Sequence, residues 1–221
     1  MTPYYSDDAV TIYHGDCREV LEWLTADVVV TDPPYGRRWR QGFIRGHARN
    51  ANSAGIAGDD DTTVRDQALA LWGDRRAIVF GDLMLTPPTG TKLTCVYHKA
   101  DKGAGMRGAT GGVRRDCEAI YLIGPWPTGL GGRSALFATS RRLSSAVGVV
   151  SLNGGHPHTK PDDVMGQLVQ LTDGIIADPF AGSGSTLVAA KAHGRKAIGI
   201  EISERYCEIA ARRMGQEVLA L

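Results

Sequence analysis

Asp32-Pro33-Pro34-Tyr35 gathers a carboxylate, a main-chain carbonyl followed by an imide nitrogen that lacks a hydrogen, and an aromatic ring within four residues. An ionised carboxylate only accepts hydrogen bonds, and each proline removes a donor while fixing its own φ. Such a corner can take both hydrogens of an amine, one on Asp32 and one on the Pro33 carbonyl. Tyr35 offers a flat face against which a planar ring can stack. The corner follows the apolar run Val28-Val29-Val30 and must close a strand, because proline cannot continue a ladder. Alone, these residues would read better as a polyproline-like turn; a second segment changes that reading.

Asp178-Pro179-Phe180-Ala181-Gly182-Ser183-Gly184-Ser185-Thr186 follows the apolar pair Ile175-Ile176. The pattern around it is a strand, a small-residue turn, a helix and a second strand ending in Glu201. That is one nucleotide-binding βαβ unit. Gly182 and Gly184 permit a tight turn and a close approach of ligand to backbone. An acid at the end of the second strand can accept both hydrogen bonds of a ribose diol. The turn departs from GxGxxG, since Asp178, Pro179 and Phe180 occupy the lead-in of that dinucleotide fingerprint.

Taken together and in this order, the two segments resemble the amino-methyltransferases that modify the exocyclic nitrogen of adenine or cytosine in DNA. A cofactor turn C-terminal to the catalytic corner is the permuted, beta-class arrangement of that family. The resemblance implies a Rossmann-like, S-adenosylmethionine-dependent α/β fold: a mostly parallel wound sheet with helices on both faces. It implies Asp32, Pro33, Pro34 and Tyr35 as the catalytic residues. Around the cofactor it implies Asp16, Cys17, Asp32, Lys160, Asp178, Phe180, Ala181, Gly182, Ser183, Gly184, Ser185, Thr186 and Glu201. Asp16 closes Ile12-Tyr13-His14-Gly15-Asp16 and would face the cofactor's adenine amine; it also reads as a helix cap. Lys160, in His156-Pro157-His158-Thr159-Lys160-Pro161, would face the cofactor's carboxylate, and Phe180 would lie near its sulfonium.

The implied chemistry suits the corner. An exocyclic amine is a poor nucleophile because its lone pair is delocalised into the ring, and acceptors on its hydrogens turn that lone pair outward. Transfer is then direct, in agreement with the lack of a Pro-Cys nucleophile motif. In this family an aspartate at the first position goes mostly with adenine N6 and a serine with cytosine N4, so adenine is expected. Cytosine N4 is the alternative, and a catalytically silent nucleic-acid- or nucleotide-binding module is the rival of another class. No metal is expected: His156 and His158 have no further ligand at suitable spacing, and Cys17, Cys95, Cys117 and Cys207 are scattered.

These residues need a scaffold, and 221 residues with 43% apolar and 22% charged content fit one soluble domain with a sheet covered on both faces. No apolar run approaches a membrane span, and the N-terminus has no signal pattern, so a cytoplasmic protein is expected. Strands are expected at 10–13, 27–31, 77–80, 93–97, 118–123, 175–177 and 196–201, with helices over 16–24, 63–72, 186–192 and after Ser203. The net charge of +1 hides a segregation. Between Gly36 and Gly58 lie Arg37, Arg38, Arg40, Arg45 and Arg49 and no acid. A basic loop starting beside Tyr35 predicts contact with the backbone of double-stranded DNA. The Gly- and Ser-rich stretch 126–155 is the remaining candidate for reading sequence. So short a recognition segment implies a short site or help from a second subunit; a homodimer and a cognate restriction enzyme stay open as partners.

Overall fold

Successive residues of the central strands point to opposite faces, and here both sets are apolar, so the sheet must be covered on each side. The computed structural model describes residues 1–38, 56–99, 110–111, 113, 116–129, 131–139 and 159–216. Its strands are Tyr5–Ser6 (β1), Val10–His14 (β2), Val28–Thr31 (β3), Ala77–Gly81 (β4), Thr91–His98 (β5), Cys117–Ile123 (β6), Leu136–Ala138 (β7), Ile176–Asp178 (β8) and Ala197–Glu201 (β9). The described helices are Thr63–Trp72 (α1), Asp162–Val169 (α2), Ser185–Ala192 (α3) and Glu204–Gln216 (α4). All these strands form one sheet in the order β1-β2-β9-β8-β3-β4-β6-β5-β7. The run from β2 to β4 is parallel throughout, and β6 is antiparallel to both its neighbours. This is the mostly parallel, Rossmann-like sheet expected.

Val28, Val30, Ile78 and Phe80 pack on one side with Val164 and Leu168 of α2, Leu187 of α3 and Ala210 of α4. Val29, Ala77 and Val79 face the other side, against Ala68 and Trp72 of α1 and against Trp23. The rings of Trp23 and Trp72 stack 5.6 Å apart. Helices therefore cover both faces. No described helix is long and apolar enough to cross a membrane.

One expectation fails locally. The helix foreseen over 16–24 is a turn followed by a 3-10 helix, Glu22–Thr25. Asp16 shapes the turn by accepting the N–H of Arg18 on its side chain and those of Glu19 and Val20 on its carbonyl. The Trp23 indole then donates to the Cys17 carbonyl at 2.8 Å, which a continuing α-helix would need for its own ladder.

From β8 the chain winds through α3 to β9 on one side; from β3 it winds through α1 to β4 on the other. The reversal opens a crevice at the carboxyl ends of β8 and β3, where ligands of wound sheets bind. A side-chain clasp joins the two strands there. The hydroxyl of Thr31 donates to Asp178 Oδ1 at 2.6 Å, and the N–H of Phe180 donates to the same oxygen at 3.0 Å. Burial pushes the Asp178 carboxyl up to about 6, against the opposing hydrogen bonds from Thr186, Thr31 and Phe180.

A carboxyl held higher in the folded chain than its ordinary 3.8 binds its proton more tightly when folded. Its contribution is greatest at low pH and declines as pH rises through this range. Wild type should therefore lose stability relative to Asp178→Asn between about pH 4 and pH 6, by up to about 3 kcal/mol. Urea unfolding of both proteins across that range checks this, and a constant difference would contradict it.

Candidate active site

Pro33 and Pro34 end β3 and carry the chain into the crevice. The turn that follows is built for one residue type. Gly36 has φ +76°, and a Cβ there would lie 2.7 Å from the backbone of Asp61. The buried Asp59 carboxylate accepts the N–H groups of Gly36 and Arg37 at 2.8 and 3.2 Å, which fixes the corner.

Asp32 Oδ1 accepts the Tyr35 hydroxyl at 2.8 Å, and Oδ2 accepts Lys160 Nζ at 2.5 Å. The same ammonium reaches Tyr35 Oη at 3.1 Å and Glu118 Oε2 at 3.3 Å, while Lys99 pairs with Glu118 Oε1. Burial alone would lower the Lys160 ammonium, but the Asp32 and Glu118 carboxylates hold it above its ordinary value. Burial pushes the Glu118 carboxyl up, and Lys160 and Lys99 bring it below the usual range. The Tyr35 phenol is raised well above its ordinary value by burial and then by both carboxylates. These shifts keep Lys160 an ammonium, Glu118 a carboxylate and Tyr35 an intact phenol.

The turn after β8 forms the facing wall. Gly184 caps α3 in the left-handed region at φ +84°, and a Cβ there would come within 3.0 Å of the Ala210 side chain. Glu201 joins turn to strand end: Oε2 accepts the Gly182 N–H and Oε1 the Ser203 N–H, both at 2.8 Å. Burial raises its carboxyl against those two bonds. One cavity of about 480 Å³ joins both walls. Asp32, Pro33, Pro34, Tyr35, Glu118 and Lys160 line it together with Asp178, Phe180, Ala181, Gly182, Ser183, Ser185, Thr186 and Glu201.

Several predicted site residues lie elsewhere or point differently. Gly184 shapes the turn without lining the cavity, and Asp16 and Cys17 are not lining residues either. The Asp16 carboxylate is occupied by the backbone N–H and the guanidinium of Arg18. Lys160 does line the cavity, but its ammonium turns to Asp32 and Glu118 instead of standing free for a ligand carboxylate, because a buried ammonium needs anions beside it. Arg37 is held by Asp82 through two contacts of 2.5 Å, and the exposed Arg38 donates to the Asp60 carbonyl at 3.3 Å. Arg40, Arg45 and Arg49 lie outside the described residues, as do His156, His158 and most of 126–155.

Sequence reasoning missed Glu118. It stands in the apolar strand Cys117-Glu118-Ala119-Ile120, and a single acid in a run otherwise fit for a buried strand is the signal that marks it.

Comparison with known proteins places this geometry. The family model described as DNA methylase, for N6 and N4 enzymes, matches residues 91–212. YubD of Escherichia coli (strain K12) is 30% identical over 93% of this chain and 88% of its own length. Among solved structures, the PvuII cytosine-N4-specific DNA methyltransferase superposes with a TM-score of 0.67 at 16% identity, covering 99% of this chain and 90% of that one. The complex of M1.HpyAVI with S-adenosylmethionine gives 0.63 at 19% identity, over 93% and 98%. The structural likenesses speak for the fold; the family model spans more than half of the chain, and a full-length relative agrees with it. The chain belongs to the N6/N4 DNA methylase family.

Proposed function

We propose that this protein transfers a methyl group from S-adenosylmethionine to the exocyclic N6 of adenine in DNA, directly onto a base drawn out of the duplex. The observation that carries the proposal is the single cavity joining the Asp32-to-Tyr35 corner to the Gly182 turn and Glu201. The cofactor supplies an electrophilic methyl on a sulfonium. The residues present fit it. Each Glu201 oxygen already takes one backbone N–H and keeps lone-pair capacity for a ribose diol. Asp178 and Glu201 are steadied by neutral donors, which leaves a negative field suited to a cation, and Phe180 adds an aromatic face.

Asp32 and the Pro33 carbonyl take the two hydrogens of the base amine and turn its lone pair toward the cofactor half of the cavity. The Tyr35 ring lies against the base, since extruded bases are held by stacking. The arginine-bearing loop 36–58 meets the DNA backbone, and the segment 126–155 takes part in reading sequence, within one methyltransferase domain. Adenine is favoured by the aspartate at position 32. The cytosine-N4 reading keeps one specific support, the resemblance in shape to the PvuII enzyme.

Incubation with labelled cofactor and duplex DNA, followed by nucleoside mass analysis, should yield N6-methyladenine. Asp32→Ala should abolish that product while the protein still binds the cofactor. N4-methylcytosine in its place would decide for the second reading, and wild-type turnover by Asp32→Ala would overturn the catalytic corner. Separately, Glu201→Ala should weaken S-adenosylmethionine binding by about 1–3 kcal/mol, since buried polar groups lose their partner. Calorimetry giving equal affinity would place the ribose contact elsewhere.

A further inference from the structure

Glu118 is buried, lines the cavity and has no part in the chemistry described so far. Its neighbours raise a question of supply. Asp32 must accept the base amine, yet Oδ1 already accepts the Tyr35 hydroxyl and Oδ2 the Lys160 ammonium, so an amine arriving there must share an oxygen. Tyr35 Oη has one proton and two carboxylates within reach, Asp32 at 2.8 Å and Glu118 at 3.3 Å. Lys160 Nζ, at 3.1 Å, donates to that oxygen, so the phenol's own proton is left to choose between the two acids.

We propose that Glu118 is a positioning residue: it takes the Tyr35 hydroxyl bond when the base amine arrives, and so leaves Asp32 Oδ1 to the amine alone. The proposal rests on the methyltransferase reading above. The exchange needs only rotation about the phenol C–O bond, and no proton leaves its oxygen. The ring of Tyr35 keeps its place against the base. Lys99 and Lys160 hold Glu118 ionised, so it stays an acceptor throughout. Without a second acceptor the hydroxyl would stay on Asp32, share Oδ1 with the amine and weaken that bond.

The test is the single-turnover rate of methyl transfer to duplex DNA at saturating cofactor. Glu118→Met should be slower by about 10- to 100-fold, the range set by displacing a hydrogen bond to a charged group. Its affinity for S-adenosylmethionine should match wild type. Glu118→Gln keeps an acceptor oxygen and should fall clearly less. The decisive variant is Tyr35→Phe in the Glu118→Met background, which removes the competing hydroxyl and should be faster than Glu118→Met alone. Loss of a merely structural counter-ion would not be relieved by that second change. Glu118→Met at the wild-type rate, Glu118→Gln as slow as Glu118→Met, or a double variant no faster than the single one would each overturn the switch. Asp32→Ala serves as the control. If it is as fast as wild type, the underlying function fails and the switch with it; if it is inactive beside an unaffected Glu118→Met, the switch alone fails.

Discussion

The buried ammonium of Lys160 is the contact on which the site depends. It sits between Asp32 and Glu118, over the ring of Phe80 at 4.8 Å, and is only 7% exposed. Glu118, buried beside it, is kept ionised by this ammonium together with that of Lys99. The three side chains come from the end of β3, from β6 and from the lead-in to α2, so the ion cluster also ties together segments far apart in sequence. Removing Lys160 would leave Asp32 and Glu118 without the cation between them, which costs more than the pairs contribute.

Topology explains why these segments meet. A wound sheet opens a crevice only where the winding reverses, and here that is between β8 and β3. Their pairing in register, Val28 with Ile176 and Val29 with Ala177, brings both carboxyl ends to one level. The Thr31–Asp178 bond then fixes the Asp32-to-Tyr35 corner against the Gly182 turn. Positioning for a direct transfer needs both reactants held by rigid elements, and strand ends in a parallel sheet provide that. The sequence order of the two turns matters little to this geometry, because pairing of the strands sets their distance.

What could be read from sequence follows from how local each signal is. The corner at Asp32 and the turn at Gly182 announce themselves because every residue that shapes them is adjacent in sequence. Glu118 does not, since its meaning lies in Lys99, brought by pairing of β6 with β5, and in Tyr35 and Lys160, which come from the end of β3 and the lead-in to α2. Lys160 was legible as a site residue, but its partners were not. A sequence pattern gives the type of charge, whereas its direction depends on the anions buried beside it. The misread helix over 16–24 has the same origin: apolar spacing suits a helix, but one indole bond from Trp23 to Cys17 redirects the chain. Strand β7 lay hidden in a Gly- and Ser-rich stretch because its three residues owe their form to parallel pairing with β5.

The cavity is electrostatically divided, and the division suits two unlike ligands. In the half around Tyr35, Asp32 and Glu118 are balanced by Lys99 and Lys160, so a neutral ligand would meet polar acceptors without net charge. In its other half Asp178 and Glu201 are steadied by hydroxyl and backbone N–H donors, and neither has a lysine or arginine bonded to it among the described residues. Burial raises both carboxyls, but Asp178, at about 6, remains mostly ionised at neutral pH. A cation entering that half relieves the cost of burying those charges, so the walls favour a positively charged ligand before any specific contact forms. Drawing Lys160 to Asp32 and Glu118 is part of that division. An ammonium left among the turn residues would cancel the field that favours a cation there.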